Sequence, residues 1–209
     1  MVGKRGVLAG LAAVMIMAGM GHALAGSKAI PVSSEIPTLD DVRAPIGWTG
    51  FCQQGHADDC NVASLAPQNL QLTQATWDLL SRVNRTVNAN VEQVEDIALY
   101  GVQEKWTYPD EGKGDCEDLA LLKRRMLMRE GVPRQALLMT VVRDETGAGH
   151  AVLTVATDRG DYVLDSKTSR ILPWKATGYG FVKRQSQVNP NMWVKLGEPA
   201  APALTAAAH

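Results

Sequence analysis

The spacing of the apolar residues changes along the chain from a helical to a strand-like period, and this change constrains the fold most. In residues 70–88 apolar side chains recur three or four positions apart, and a second helical stretch covers residues 115–129 before Gly131 and Pro133 end it. Beyond Pro133 the apolar residues form short runs between turn residues, which is typical of strands. Helices followed by an antiparallel meander predict an α+β fold with a helical N-terminal half.

The finer pattern places each element. A short helix or turn is predicted at residues 91–101, with Val94, Ile97 and Ala98 facing inward. Strands are predicted at residues 136–143, 150–157, 161–165, 180–185 and 192–196. The helix at 115–129 has one apolar side, so we expect it to pack on the antiparallel sheet that these strands form.

The first 25 residues have the order of a secretory signal peptide. Lys4 and Arg5 precede an uncharged apolar run, and Ala23 and Ala25 are the small residues before a cleavage site after Ala25. An uncleaved anchor is the alternative, but the run is short for a membrane-spanning helix. The segment therefore predicts export to the periplasm, with no membrane span once it is removed.

The rest of the chain predicts one domain. We divide it into an irregular segment at 26–69, a core at 70–197 and a disordered tail rich in Ala and Pro at 198–209. The formal net charge of the sequence is −1, because it has 21 Lys and Arg residues, including Lys4 and Arg5, and 22 Asp and Glu residues. Since the sequence has no basic stripe with interleaved aromatic residues, nucleic acid is not an expected partner.

The three cysteines fall into two settings. Cys52 and Cys60 lie close together in a loop rich in Gly and Asp, whereas Cys116 stands alone. In an oxidising compartment this arrangement predicts a Cys52–Cys60 disulfide and one free thiol. Zinc held by Cys52, His56 and Cys60 is the alternative, but the sequence offers no fourth ligand at a suitable spacing.

Cys116 lies at the predicted start of a helix, directly after Asp115, which is a good N-cap residue. Unpaired backbone N–H groups and the helix dipole favour an anion there, which lowers a thiol pKa from its usual value of about 8.5. Glu117 and Asp118 oppose thiolate formation by their charge. They also predict a polar, poorly buried site, which favours a nucleophile over a small buried core residue.

His150 and Asp165 are the candidate partners of this thiol. His150 opens an apolar strand, which places its imidazole at the end of the sheet, where it can act as a general base. Asp165 ends the next strand and can accept a hydrogen bond from the second imidazole nitrogen. A simple hairpin about Arg159 would pair Asp165 with Leu153 instead of His150, so a bulge or a shifted register is required. By position alone, His150 could be structural and Asp165 a turn residue.

Four blocks of sequence carry a resemblance to a known family. They are Val83-Asn84-x-x-Val87-Asn88, Trp106-Thr-Tyr-Pro, Gly114-Asp115-Cys116-Glu117-Asp118 with Lys123 after it, and Gly149-His150-Ala151-Val152-Leu153 joined to Val163-Leu164-Asp165. Together they resemble the bacterial transglutaminase-like cysteine proteinases, which include the LapG-like periplasmic proteases. The resemblance covers residues 73–165 and extends to about 196.

The resemblance implies a fold and a reaction. The fold would be papain-like, with the catalytic helix packed on an antiparallel sheet. Cys116 would be the nucleophile, His150 the acid and base, and Asp165 the residue that orients the imidazole. The intermediate would be a thioester acyl-enzyme that water resolves. The resemblance therefore implies an exported cysteine endopeptidase that hydrolyses a peptide bond in an exported or surface protein.

The resemblance also implies a metal and partners. LapG-type members bind calcium through acids beside the cysteine, which here are Asp115 and Glu117, and oxygen ligands suit Ca²⁺. Asp115 could equally be a helix cap without a metal. Such proteases cleave surface adhesins and are bound by an inner-membrane receptor that senses cyclic di-GMP. Because Ser166 replaces a usual Asn and the Cys52–Cys60 loop is additional, the substrate is not carried over.

Two other functions stay open. A transglutaminase- or deamidase-type acyltransferase would pass through the same thioester, and water access to that intermediate would decide between the two enzymes. A non-catalytic periplasmic binding module would predict the loss of a triad residue, and Cys116, His150 and Asp165 are all present.

Overall fold

The computed structural model describes residues 29–197, together with Met1 and Gly3. The cleavage site of the predicted signal peptide and the predicted tail at 198–209 lie outside the described residues. The α-helices are α1 (Ile46–Gln53), α2 (Ala57–Cys60), α3 (Gln74–Asn90), α4 (Asp96–Tyr100) and α5 (Cys116–Arg129). The strands are β1 (Thr38–Val42), β2 (Glu92–Gln93), β3 (Lys113–Gly114), β4 (Leu137–Arg143), β5 (Gly149–Thr157), β6 (Gly160–Leu164), β7 (Leu172–Pro173), β8 (Gly180–Gln185) and β9 (Trp193–Leu196).

Seven of these strands form one antiparallel sheet in the order β1-β9-β8-β4-β5-β6-β7. α5 packs on β4 and β5, and α3 packs on α5. The face toward these helices carries the main core, which includes Leu153 and Leu164, and the opposite face holds the smaller cluster of Val142, Val152 and Val163. The α+β class predicted for the chain is confirmed. None of the helices in the described residues is long and apolar enough to span a membrane.

Local sequence explains the two long helices. Thr73 caps α3 in a capping box with Thr76, so two of the unpaired N-terminal donors of this helix are satisfied. The apolar residues of α3 recur on one side. The single apolar side predicted for α5 is too narrow, because the fully buried Leu119, Leu121 and Leu127 lie on more than one side of this helix. α5 therefore lies between α3 and the sheet and is held firmly on both sides.

The segment at 26–69 was expected to be irregular, and this expectation is wrong for much of it. β1 pairs with β9 at the edge of the sheet, and α1 buries Trp48 and Phe51 in the main core. Pro and Gly in this segment suggested loops, but pairing with the far C-terminal strand and burial of two aromatic rings stabilise it. Such long-range contacts leave no local pattern.

A disulfide joins Cys52 in α1 to Cys60 in α2, which confirms the predicted pairing and removes the zinc alternative. The ring of His56, in the turn between them, stacks on Phe51 with ring centroids 3.9 Å apart. α2 also supplies Asp59, whose buried carboxylate contacts Arg124 of α5. The N-terminal segment is thus tied to the helix that begins at Cys116.

The orientation of α4 differs from the prediction. Ile97, expected to face inward, has 57% of its surface exposed, and Asp96 is buried instead. The Asp96 carboxylate accepts a hydrogen bond from the backbone N–H of Lys105. This hydrogen bond compensates in part for the burial of the Asp96 carboxylate.

Candidate active site

Cys116 is the first residue of α5, and Asp115 precedes it in an extended conformation. The predicted role of Asp115 as a side-chain cap is wrong, because its carboxylate makes no capping hydrogen bond. Gly114 is required here, since a Cβ at this position would lie 2.6 Å from Asp118 Oδ2. The predicted poor burial is also wrong: Glu117 and Asp118 are buried under the preceding loop.

The surroundings of Cys116 favour the protonated thiol over the thiolate. Its Sγ donates a hydrogen bond to Glu117 Oε2 at 3.0 Å and accepts one from the backbone N–H of Ala151 at 3.4 Å. Burial raises the pKa of Cys116, and the charge and hydrogen bond of Glu117 raise it further. The Ala151 N–H acts in the opposite direction, since it favours the thiolate.

His150 and Asp165 are joined by a hydrogen bond of 2.8 Å between Nε2 and Oδ1. Both side chains are buried. Burial acts to raise the pKa of Asp165, but hydrogen bonds from His150 and Tyr179 outweigh it, so the pKa lies below its usual value. Asp165 is therefore an anion, and Nδ1 of His150 is left as the nitrogen that can serve a thiol.

The register of β5 and β6 makes this bond possible. The pairing of Asp165 with Leu153 that a simple hairpin would give does not occur, and the shifted register that the sequence required is a shift of one residue, because Leu153 pairs with Leu164. The next residue, Asp165, is then level with Val152. Since side chains alternate between the two faces of a sheet, Asp165 lies on the same face as Val152 and as His150, its diagonal neighbour.

One cavity of about 340 Å³ brings the thiol and the imidazole together. Larger cavities of about 530 Å³ lie beside His56 and beside Val32, and Cys116 lines neither of them. Around Cys116 and His150 the cavity wall is both apolar, at Trp106 and Val141, and charged, at Glu104 and Lys183. The other lining residues are Pro45, Ile46, Glu117, Gly149 and Ala151.

Buried carboxylates cluster beneath the start of α5. Oxygens of Asp96, Asp115 and Asp118 lie within 4.8 Å of one another, and Asp115, Cys116 and Glu117 form a second such group. Burial, followed by the charges of neighbouring acids, raises the pKa of Asp115 to about 6, of Asp118 to about 8 and of Glu117 to about 9. Hard oxygen donors at this density suit a divalent cation.

Sequence reasoning assigned no role to three residues near the site, of which it named only Lys123, as part of the family resemblance. Asp96 joins the acidic cluster from α4, and Tyr179 donates a hydrogen bond to Asp165 Oδ2 at 2.6 Å. Lys123 of α5 is fully buried with no hydrogen-bond partner for Nζ among the described residues, and burial lowers its pKa to about 7 although the charge of Asp165 opposes this. A polar residue within an apolar helix face was the only local signal, and it existed for Lys123 alone.

Comparison with known proteins identifies the family of the chain. The family model for the bacterial transglutaminase-like cysteine proteinases matches residues 38–201, most of the chain. No curated protein matches in sequence.

Solved structures of LapG from Legionella pneumophila are similar. The calcium-bound form is 27% identical, with a TM-score of 0.50, over 60% of this chain and 73% of that one. A second LapG structure is 27% identical over 56% of this chain and 68% of that one, with a TM-score of 0.48. The EGTA-treated form is 25% identical over 60% and 69%, with a TM-score of 0.47. The chain belongs to the family of bacterial transglutaminase-like cysteine proteinases and is a cysteine peptidase.

Proposed function

We propose that the chain is a periplasmic endopeptidase in which Cys116 is the nucleophile, His150 the acid and base, and Asp165 the residue that orients the imidazole. The observation that carries the proposal is the buried hydrogen bond from His150 to Asp165 beside a cavity that also contains the free thiol. Its geometry is that of a nucleophile, a base and a group that orients the base.

The reaction follows from these contacts. Because Nε2 is bound to Asp165, Nδ1 of His150 takes the proton of the Cys116 thiol, and the thiolate attacks the carbonyl carbon of the substrate. When the C–N bond breaks, the imidazolium returns its proton to the leaving amine, and a thioester remains on Sγ. His150 then removes a proton from water, which attacks the thioester, and the cleaved acid and the free thiol are released.

The protein can also stabilise the charge that develops on the carbonyl oxygen. The backbone N–H of Cys116 lies in the first turn of α5, where the helix has no internal acceptor for it. Such donors contribute most in sites from which water is excluded. Trp106, which is almost fully buried and lines the cavity, provides part of that apolar surrounding.

We also propose a calcium site at Asp115 and Glu117, extended by Asp96 and Asp118. Asp96 Oδ1, Asp115 Oδ1 and Asp118 Oδ2 are buried, and no donor in the described part of the chain reaches them. Unpaired buried oxygens are costly unless a cation or water meets them. The similar LapG structure bound to calcium supports this choice of ion. Calcium there would neutralise acids that now raise the pKa of the thiol.

The substrate class that we propose is an exported or surface-attached protein. A surface adhesin and an inner-membrane receptor are the partners that the family resemblance implies, and both belong to the same proposal. The mixed apolar and charged lining of the cavity at Cys116 is compatible with a polypeptide substrate, and the peptidase family supports a protein substrate.

Thiol labelling tests the proposed triad without knowledge of the substrate. Wild-type protein, His150→Ala and the control His56→Ala would be alkylated with iodoacetamide across pH, with calcium and with EDTA, and Cys116 followed by mass spectrometry. In calcium we expect labelling below neutral pH in the wild type and in His56→Ala, and only alkaline labelling in His150→Ala. In EDTA, wild-type labelling should need a higher pH, because the nearby acids raise the pKa of the thiol. If Cys116 is labelled only at alkaline pH, and equally in the wild type and in His150→Ala, it is an ordinary thiol and the proposal is contradicted.

A further inference from the structure

The carboxylate of Asp165 is held at both of its oxygens. Oδ1 accepts hydrogen bonds from His150 Nε2 at 2.8 Å and from the backbone N–H of Lys167 at 3.0 Å. Oδ2 accepts the hydroxyl hydrogen of Tyr179 at 2.6 Å. Tyr179 is thus the side chain that determines where the second oxygen points.

The same side chain also contacts the imidazole. The rings of Tyr179 and His150 are 5.7 Å apart at their centroids and nearly perpendicular, at 86°. This edge-to-face geometry is favourable between aromatic rings. Tyr179 therefore contacts two members of the proposed triad at once, although it lies in a different segment from either of them.

The backbone around Tyr179 is well fixed. Its N–H donates to Thr177 Oγ1 at 3.2 Å, and Thr177 Oγ1 donates to the carbonyl of Trp174 at 2.7 Å. The ring packs with Trp174 and Phe181 against the valine cluster on this face of the sheet. A ring supported in this way can orient a neighbour, because its own position costs little additional entropy.

A second anchor is useful because of the chemistry of the aspartate side chain. The terminal torsion of Asp is broad, so a hydrogen bond to one oxygen does not fix the plane of the carboxylate. With Oδ2 bound to a rigid hydroxyl, Oδ1 stays directed at the imidazole. The half-buried hydroxyl of Tyr179 could have bonded to water at little cost, but it points to a buried anion instead.

We propose that Tyr179 is a positioning residue of the catalytic site, whose hydroxyl fixes Asp165 and whose ring edge holds His150 in the orientation that serves Cys116. This inference rests on the proposed function, because it presumes that the three residues form the triad. It extends that triad by a fourth side chain from the segment between β7 and β8.

Tyr179→Phe tests the proposal, because it removes the hydroxyl and keeps the ring. The control is Tyr162→Phe, which removes a hydrogen bond of the same length, 2.6 Å to the carbonyl of Pro31, from a tyrosine on the strand that leads to Asp165. Cys116 alkylation by iodoacetamide would be measured across pH for both variants, with the melting temperature of each.

For Tyr179→Phe we expect alkylation below neutral pH to slow by about tenfold, which corresponds to the loss of a hydrogen bond to a charged group. The pH profile of alkylation should also move to higher pH. Tyr162→Phe should lower the melting temperature and keep the wild-type profile. A wild-type profile for Tyr179→Phe would overturn the inference. If Tyr179→Phe does not fold, Thr177→Val, which releases the backbone N–H of Tyr179, should show the same upward movement.

A double variant tests whether Tyr179 acts through Asp165. In the background of Asp165→Asn, Tyr179→Phe should change the alkylation profile little, because the carboxylate that it positions is gone. An undiminished tenfold effect in that background would overturn the inference. If labelling of Cys116 depends on His150 but not on Tyr179, only this inference is contradicted. If labelling does not depend on His150, the proposed function itself is contradicted.

Discussion

Asp165 and Asp161 are acids four positions apart at β6, and their contacts assign them different tasks. Asp165 accepts from His150 in the cavity that contains the thiol, whereas Asp161 pairs with Arg184 at 2.9 Å and accepts from the backbone N–H of Ile36 at 2.7 Å. Both are nearly fully buried. Burial alone therefore does not distinguish an acid that serves chemistry from one that holds the fold.

The matched substitutions Asp165→Asn and Asp161→Asn should separate these tasks. Asp165→Asn should lower kcat on the order of 10²–10⁴-fold, because the imidazole loses its orienting anion. Asp161→Asn should keep kcat and lose about 3–5 kcal/mol of stability, because Arg184 stays buried without its partner. Peptidase kinetics and urea unfolding would measure the two effects, and a loss of kcat in Asp161→Asn alone would contradict the assignment.

At the scale of elements, α1 is held against the wall of the active site by close packing. A Cβ at Gly47 would lie 2.2 Å from the ring of Trp106, which lines the cavity at Cys116. Trp48 packs edge-on against the same ring, with centroids 6.4 Å apart. The N-terminal segment thus shapes the cavity, although it is distant in sequence from Cys116.

Gly47→Ala should therefore destabilise the protein by about 1–3 kcal/mol, because the new methyl group forces Trp106 to move. Gly50→Ala is the matched control in the same helix: no atom lies within 4 Å of a Cβ there, so it should be neutral or stabilising by up to about 1 kcal/mol. Thermal unfolding would measure both variants. Equal effects at the two positions would mean that α1 does not pack as described.

The Cys52–Cys60 disulfide connects α1 to α2 within this same segment. The double variant Cys52→Ser/Cys60→Ser should lose about 2–3 kcal/mol, the chain entropy that closing so short a loop removes from the unfolded state. Alkylation of Cys116 should keep its pH profile, since neither cysteine contacts the site. An unchanged midpoint of urea unfolding would show that the disulfide does not stabilise the fold.

For the whole molecule, the buried acids beneath α5 link folding to pH. The pKa of Asp115, Asp118 and Glu117 is raised to about 6, 8 and 9, chiefly by burial. An acid whose folded pKa is raised stabilises the fold below its ordinary pKa of about 4, and this contribution is lost as pH rises through the folded value. The metal-free protein should therefore lose stability between about pH 4 and 9.

Melting temperatures across this range, in EDTA and in millimolar calcium, would check the prediction. Calcium should raise the melting temperature most at the alkaline end, because the acids must ionise to bind it. The increase should be smaller in Asp115→Asn, since Asp115 belongs to both groups of acids. A melting temperature that responds neither to pH nor to calcium would contradict both the raised pKa values of these acids and the proposed calcium site.

The sequence by itself determined what depends on neighbouring residues. The start of α5 at Cys116, the apolar side of α3, the strands β4, β5, β6, β8 and β9 and the Cys52–Cys60 pairing were predictable, because periodicity, turn residues and short loops act over a few residues. The α+β class followed from the order of those elements.

Only the tertiary structure decided which distant residues meet. A one-residue shift between β5 and β6 moved Asp165 to the face of His150, and the register of a strand is set by its partner. Burial of Glu117, the recruitment of Asp96 and the contact of Tyr179 with Asp165 likewise arise between segments far apart in the chain. Local sequence carries no trace of such contacts, because their energy comes from packing and desolvation after the chain has folded.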